Sequence, residues 1–285
     1  MTHHKDPASG ETGSRFIRRL RRAENGPLAI ACLAYLAVIS VFFTVFPGID
    51  LAATSLFHRA GEGFPLASQP FFMRLRELGP FLVKLIAGSC VAVLLFAFLT
   101  GRIPDGLRLR TPLFLLSTLA IGPGLVVNAL FKNNWGRPRP NAVDVFGGDA
   151  PYVSVWRITD HCDTNCSFVS GEASSSFWLV SLAFIAPVAW RKAVLVAVLP
   201  LIFALSANRV AFGGHFLSDT LMAWGLTLLV ILAVHRLLYC TDLVERQAPA
   251  WRTAFLRKGA GLRHAVAASC EAGSRVLHRF LETMR

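Results

Sequence analysis

The chain has 285 residues, of which 54% are hydrophobic and 16% are charged, and its mean hydropathy is +0.51. These values exclude an ordinary soluble domain, whose surface needs more charged residues than this chain supplies. The formal charge of +12 does not indicate nucleic-acid binding, because the Lys and Arg residues are spread between apolar segments instead of forming one groove-lining face. We therefore expect lipid to be the solvent of the fold and expect no nucleic-acid partner.

A helix needs about 20 apolar residues to cross the hydrocarbon core of a bilayer. The sequence has six apolar runs that approach this length: 27–47, 79–100, 113–131, 173–190, 193–208 and 220–238. A basic stretch precedes the first run, as in a signal peptide. The run is too long for a typical signal core, however, and no convincing small-residue cleavage site follows it, so we interpret it as the first span. The predicted fold class is an all-α integral membrane protein with six transmembrane helices.

Basic residues accumulate on the cytoplasmic side of membrane spans. With six spans, most Lys and Arg residues fall on the side of the two termini, which we predict to be cytoplasmic. The chain then divides into a basic N-terminal segment (1–26), a membrane domain (27–239) and a basic C-terminal tail (240–285). The tail has the loosely helical spacing of a helix on the inner membrane surface, but three glycines also allow a partly disordered tail. The remaining basic residues lie in or beside outside loops, on the side of the membrane where Lys and Arg are normally rare. They are Arg59, Arg74, Arg76, Lys84, Lys132, Arg137, Arg139, Arg157 and Arg209.

Two of the six cysteines, Cys162 and Cys166, share one outside loop. An oxidising compartment would favour a disulfide between them. A zinc site that adds His161 is the alternative, and it lacks an evident fourth ligand.

Three short motifs fall at the outer ends of predicted spans three, four and five. The first contributes Lys132 and Arg139, and the second contributes a Ser-Gly-Glu turn at a helix start. The third contributes Arg209, His215 and Asp219. Each basic residue alone is typical of an interfacial anchor, but anchoring does not explain their clustering on the disfavoured side.

The chemistry of this set indicates an anion site. Arg presents a planar fork that grips tetrahedral oxyanions, and Lys adds a compact charge. Ser170 and Gly171 would place backbone N–H groups at a helix N-terminus. His215 and Asp219, four positions apart at the head of a helix, would lie on one face, so the carboxylate would hold one ring nitrogen and leave the other to attack phosphorus.

The three blocks resemble the signature of the type 2 phosphatidic acid phosphatase superfamily. The K-x6-R-P pattern is matched in full, P-S-G-H in part, and S-R-x5-H-x3-D except for its first residue. The matching positions are Lys132, Arg139 and Pro140, then Val169, Ser170, Gly171 and Glu172, then Asn208, Arg209, His215 and Asp219. The resemblance covers about residues 27–239 and implies a six-helix membrane enzyme that needs no metal or other cofactor.

By this resemblance, His215 is the nucleophile that forms a phosphohistidine, and Asp219 orients it. The phosphate is held by Lys132, Arg139, Ser170, Gly171 and Arg209. The departures at Asn208 and Val169 are expected to be tolerated. Glu172 is the serious departure, because the family has there the His that protonates the leaving oxygen.

A carboxylate beside a bound phosphate allows three interpretations. The phosphate could raise the pKa of Glu172 until it serves as the general acid, which we favour. Alternatively, Glu172 stays charged and pairs with an arginine or with an amino group of the substrate. The third interpretation is a disabled enzyme.

The resemblance implies a lipid phosphate phosphatase of the bacterial inner membrane, with its active site on the periplasmic face. The Glu of the second motif and the segment FPGIDLAATSLF after the first span resemble bacterial family members that act on lipid A or related envelope lipids, including 4'-phosphatases. Phosphatidylglycerophosphate, phosphatidic acid and undecaprenyl diphosphate remain open as substrates. A phosphotransferase that uses the same intermediate and a silent lipid-phosphate-binding protein are the alternatives. The expected partners are the lipid substrate and the bilayer, and the sequence does not predict an oligomeric state.

Overall fold

The computed structural model describes residues 7–103 and 108–283, which form helices joined by turns and loops. The longer helices are α1 (Pro7–Val45), α2 (Gly48–Ser55), α3 (Pro70–Thr100), α4 (Arg110–Leu119), α5 (Gly171–Phe177), α6 (Ser181–Ile185), α7 (Val188–Ala211), α8 (Leu217–Cys240) and α9 (Asp242–Thr283). A π-helical segment, Ala120–Phe131, continues α4. Short 3₁₀ turns lie at Pro65–Ser68, Pro140–Ala142, Asp144–Phe146 and Trp178–Val180.

Within these described ranges, five helices are long and apolar enough to cross a membrane. They are Asn25–Val45, Pro70–Thr100, Arg110–Phe131, Val188–Ala211 and Leu217–Cys240. The prediction of an all-helical membrane protein is confirmed, and five of the six predicted spans have a matching helix. Large apolar side chains such as Ile30, Val38 and Leu95 lie exposed on α1 and α3, as expected for surfaces that face lipid.

The fourth predicted span, 173–190, is not a continuous helix. The chain forms α5, a 3₁₀ turn and α6 in succession, and helical structure then stops because Ala186 is extended before Pro187. This broken segment is mostly buried inside the protein, and α5 packs against α3, the π segment, α7 and α8. Its apolar composition therefore reflects burial against other helices, which the hydropathy of a sequence does not distinguish from burial in lipid.

The bundle is held by an apolar core between α4, the broken segment, α7 and α8. Phe114, Trp178, Ile202 and Ile231 are almost completely buried there. The indole N–H of Trp178 donates to the carbonyl oxygen of Leu115 at 3.1 Å, which ties the broken segment to α4. These contacts hold α4, the broken segment, α7 and α8 together.

The tail forms one long helix, α9, beginning at Asp242. A guanidinium nitrogen of Arg263 donates to the carbonyl oxygen of Phe98, at the end of α3, at 2.8 Å. Gly259 lies against the same carbonyl, and a Cβ atom there would collide with the oxygen. The tail is thus helical despite its glycines, and one of these glycines permits the close packing. Its location on the inner membrane surface stays a prediction, as do the domain boundaries.

Candidate active site

The three motifs lie together at one end of the bundle. Lys132 directly follows the π segment, and Arg209 lies in the last turn of α7. His215 lies in the turn before α8, and Ser170 is the N-cap residue of α5. A cavity of about 640 Å³ opens beside them, and its wall includes Arg139, Glu172, Arg209 and Gly214. The structure therefore brings together the residues that the sequence singled out, whereas their chemical roles stay predictions.

His215 is held by a backbone carbonyl. Its side chain is 1% exposed, and its Nδ1 atom lies 2.8 Å from the carbonyl oxygen of Ser167. Because a carbonyl oxygen can only accept, Nδ1 must carry the proton, which leaves the lone pair on Nε2. Asp219 lies behind this contact, with Oδ2 3.9 Å from Nδ1.

The expected helical pairing of His215 with Asp219 was wrong in its geometry. Helix α8 begins at Leu217, so His215 precedes it, and Asp219 accepts a hydrogen bond from the backbone N–H of Phe216 at 2.9 Å. The carboxylate therefore caps the helix and supports the loop that carries the histidine.

The protonation of His215 is set by its surroundings. Burial, followed by the charges of Arg209, Lys132 and Arg139, holds the pKa of His215 well below its ordinary value, although the hydrogen bond to Ser167 opposes the shift. The imidazole is therefore neutral near pH 7. A neutral ring with an available Nε2 is the form that a nucleophile requires.

Asp219 belongs to a buried ionic network that the motifs did not reveal. Arg137 contacts Asp219 through one guanidinium nitrogen and Asp50 through another, the latter at 2.8 Å. The side chains of all three residues are completely buried. Burial opposes the charge of Arg137, but the carboxylates Asp219 and Asp50 outweigh this effect and raise its pKa. Arg137 therefore stays charged and joins α2, the loop after the π segment and α8.

Further hydrogen bonds complete the network. The Ser167 hydroxyl donates to Asp219, so Ser167 contacts Asp219 through its side chain and His215 through its backbone. The backbone N–H of Ser218 donates to Asp50 at 2.8 Å. Arg137 is one of the basic residues that lie in outside loops against the usual distribution of Lys and Arg, and this position was a signal that it has a structural or functional role. The sequence gives no such signal for Asp50 or Ser167.

The cations beside His215 have different environments. Burial and the neighbouring charge of Arg139 lower the pKa of Lys132 to about 8, although Glu172 opposes the shift. Arg139 donates through two nitrogens to the carbonyl oxygen of Asn165, at 2.9 and 3.1 Å. A Cβ atom at Gly171 would lie 3.5 Å from Nζ of Lys132, so the lysine reaches the start of α5. Together these cations can neutralise the charge of a phosphate.

The loop that carries Asn165 is closed by the predicted disulfide between Cys162 and Cys166. Because the two sulfur atoms are bonded to each other, the alternative zinc site is not formed. The backbone N–H of Cys166 donates to the carbonyl oxygen of Lys132 at 3.1 Å. The loop therefore contacts both Lys132 and Arg139 and helps to position them.

The smaller departures from the family pattern have structural partners. Asn208 is 3% exposed and donates to the carbonyl oxygen of Phe72 at 3.0 Å, which joins α7 to α3. Val169 is completely buried in an apolar cluster with Phe168 and Ala173. Ser170 accepts a hydrogen bond from the backbone N–H of Ala173, so it caps α5.

Glu172 is paired with two arginines. Its Oε2 atom lies 3.0 Å from Nε of Arg209, and its Oε1 atom lies 3.3 Å from a guanidinium nitrogen of Arg76. This geometry corresponds to the second interpretation of Glu172, a charged partner of arginine. Arg76 lies on α3 and belongs to none of the three motifs.

A buried neutral histidine beside a cluster of cations, at the end of a bundle of membrane-length helices, defines a membrane enzyme that handles phosphate. Residues 111–240 match the family model of the PAP2 superfamily, and this range contains all three motifs. The chain belongs to this superfamily, which confirms the resemblance drawn from the motifs and the prediction of a membrane lipid phosphatase.

Three relatives, each named lipid A 4'-phosphatase, support this assignment. The chain is 34% identical over 211 residues to one from Rhizobium leguminosarum, covering 70% of this chain and 90% of the relative. It is 35% identical over 211 residues to one from Rhizobium etli, covering 70% and 82%. It is 34% identical over 204 residues to one from Francisella tularensis subsp. novicida, covering 70% and 90%. No solved structure matches the chain. The bacterial relatives and the several apolar helices fit a multi-pass bacterial membrane protein.

Proposed function

We propose that this protein removes the 4'-phosphate from a lipid A-type glycolipid through a phosphohistidine at His215. The observation that carries the mechanism is the hydrogen bond from Nδ1 of His215 to the carbonyl oxygen of Ser167, which leaves Nε2 as the nucleophile. The similarity to three relatives named lipid A 4'-phosphatase supports the substrate class.

In the first half of the proposed reaction, the lone pair of Nε2 attacks phosphorus. The bond between phosphorus and the sugar oxygen breaks, and this oxygen takes a proton. Lys132, Arg139 and Arg209 neutralise the charge on the other phosphate oxygens. In the second half, a water molecule gives a proton to the Glu172 carboxylate and attacks phosphorus. The bond to Nε2 breaks, its electron pair returns to Nε2, and inorganic phosphate is released. Asp219 and the Ser167 carbonyl stabilise the positive ring of the intermediate.

We propose that Glu172 supplies the proton to the leaving sugar oxygen. In the unliganded site its carboxylate contacts Arg209, which is also a predicted phosphate ligand. An incoming phosphate competes with Glu172 for the guanidinium of Arg209. When the phosphate displaces Glu172, the carboxyl group is free next to the scissile bond. The acid role therefore belongs to the substrate-bound state, in which Glu172 no longer pairs with Arg209.

We also propose that the active site faces the periplasm and that both termini face the cytoplasm. The distribution of basic residues supports this orientation. A disulfide at the site supports it further, since disulfides persist in oxidising compartments. The broken segment from α5 to α6 would then be the sixth membrane element. Its enclosure by other helices supports this placement, because non-helical backbone at membrane depth must be buried in protein.

The test is release of inorganic phosphate from lipid A by the detergent-solubilised protein, with EDTA present. Wild type should release phosphate, and His215→Ala should abolish it. Glu172→Gln should lose most activity, and Glu172→His should keep much of it. Full activity of Glu172→Gln would contradict the acid role, and full activity of His215→Ala would contradict the covalent mechanism. Appearance of the phosphate on an acceptor lipid instead would identify a phosphotransferase.

A further inference from the structure

One face of α3 lines the cavity next to the candidate active site. Residues that recur three or four positions apart contribute to it: Met73, Arg76, Glu77, Pro80, Phe81 and Lys84. This spacing places them on one side of the helix. The motif residues Arg139, Glu172 and Arg209 line the same cavity. The space for a substrate therefore continues from the phosphate site along α3.

Lys84 is an ionisable residue within a membrane span. It lies inside the helix Pro70–Thr100, which has 31 residues and is about 46 Å long. This length is greater than the thickness of a hydrocarbon core, which is about 30 Å. The apolar run of this helix begins at residue 79, so the backbone of Lys84 lies about 7.5 Å deeper in the membrane than the start of this run. A lysine side chain can extend over about this distance and bring its ammonium group to the headgroup level.

The ammonium group of Lys84 makes no hydrogen bond or ion pair with any residue in the described ranges 7–103 and 108–283, and its side chain is exposed. Ionisable residues inside membrane spans are rare, and where they occur they commonly mark a binding site. Four cations and two carboxylates line the cavity, so its wall keeps a net positive charge after Glu77 and Glu172 are counted.

The two cations on this face of α3 have backbone positions at different depths. Arg76 and Lys84 are eight residues apart, which corresponds to about 12 Å along the helix axis. Arg76 contacts Glu172 and so lies at the phosphate site, whereas Lys84 marks the far end of the cavity. The exposed side chain of Phe81 lies between them in sequence and offers an apolar surface.

We propose that Lys84 binds a second acidic group of the same lipid molecule, such as a second phosphate on a bisphosphorylated glycolipid. This inference rests on the proposed function, because it assumes that the first phosphate occupies the site at His215. Because the side chain of Lys84 can reach the headgroup level, the selected substrates carry their second acidic group at that level, beside the phosphate at His215. Lys84 is then a specificity residue and has no part in the chemical step.

The test compares two synthetic lipids: a bisphosphorylated lipid A and its analogue that keeps only the 4'-phosphate. The measured quantity is the ratio of kcat/KM for the two lipids in mixed micelles. Lys84→Met should lower this ratio about tenfold, as expected for loss of one charge-assisted contact. Lys84→Arg should restore most of the ratio. The matched control is Arg74→Met, which removes a cation from the same helix outside the cavity and should leave the ratio unchanged.

An unchanged ratio in Lys84→Met would overturn the proposal, even if both activities fell together. A ratio that falls equally in Arg74→Met would also overturn it, because the effect would then come from the general charge of the surface. Wild-type protein that releases phosphate from neither lipid would instead refute the proposed function itself. The two failures are therefore distinguishable in one experiment.

Discussion

Lys132, which directly follows the π segment, should set the alkaline limit of the reaction. Burial and Arg139 lower the pKa of Lys132 to about 8, with Glu172 opposing the shift. Half of the lysines are then neutral at pH 8, and about ten in eleven are neutral at pH 9. If the charged form is required to bind phosphate, kcat/KM should fall about fivefold between these pH values.

The assay is phosphate release at low substrate concentration across pH 6 to 10, because kcat/KM then reports ionisations of the free enzyme. Lys132→Arg should remove the decline above pH 8, since an arginine stays charged over this range. Lys132→Met should be weakly active at every pH and should show no decline from this residue. A Lys132→Arg enzyme that keeps the same alkaline decline would refute the assignment of that ionisation to Lys132.

Two further predictions concern the support of the site. Arg137→Met should destabilise the protein by about 3 to 5 kcal/mol, because it leaves the buried carboxylates Asp50 and Asp219 without their counter-charge. Thermal unfolding in detergent measures this, with the half-buried Arg139→Met as the control, and equal unfolding temperatures for the two variants would contradict it. Gly214→Ala should lower kcat/KM about tenfold at nearly unchanged stability. The new Cβ would displace the guanidinium of Arg209 and weaken its charged contact with the phosphate. Wild-type activity of the Gly214→Ala enzyme would show that Arg209 does not need this position.

The motif residues could be predicted because each motif is a short, continuous stretch with fixed spacing. Lys132 and Arg139 follow the end of one helix, and Arg209 and His215 flank one turn, so local order already placed them at one end of the bundle. Five spans could be predicted for a similar reason, since hydropathy is a local property. The broken segment escaped prediction because burial by protein and burial by lipid select the same apolar residues.

The partners of the site residues could not be predicted from spacing. Arg137 contacts Asp219 across 82 residues and Asp50 across 87, and no local pattern records such pairs. The hydrogen bond that fixes the tautomer of His215 ends on a backbone carbonyl, which every residue possesses. Arg76 likewise reaches Glu172 from a helix that carries none of the motifs.

The sequence by itself determined the membrane class, the family and the chemical groups that gather at one face, because composition and motif spacing are written in consecutive residues. Only the tertiary structure decided that the Ser167 carbonyl holds His215, that Arg137 balances two buried carboxylates, and that Glu172 faces two arginines. These relations depend on distances between segments far apart in the chain. Such distances are set by the packing of helices, and packing has no signature in any single stretch of sequence.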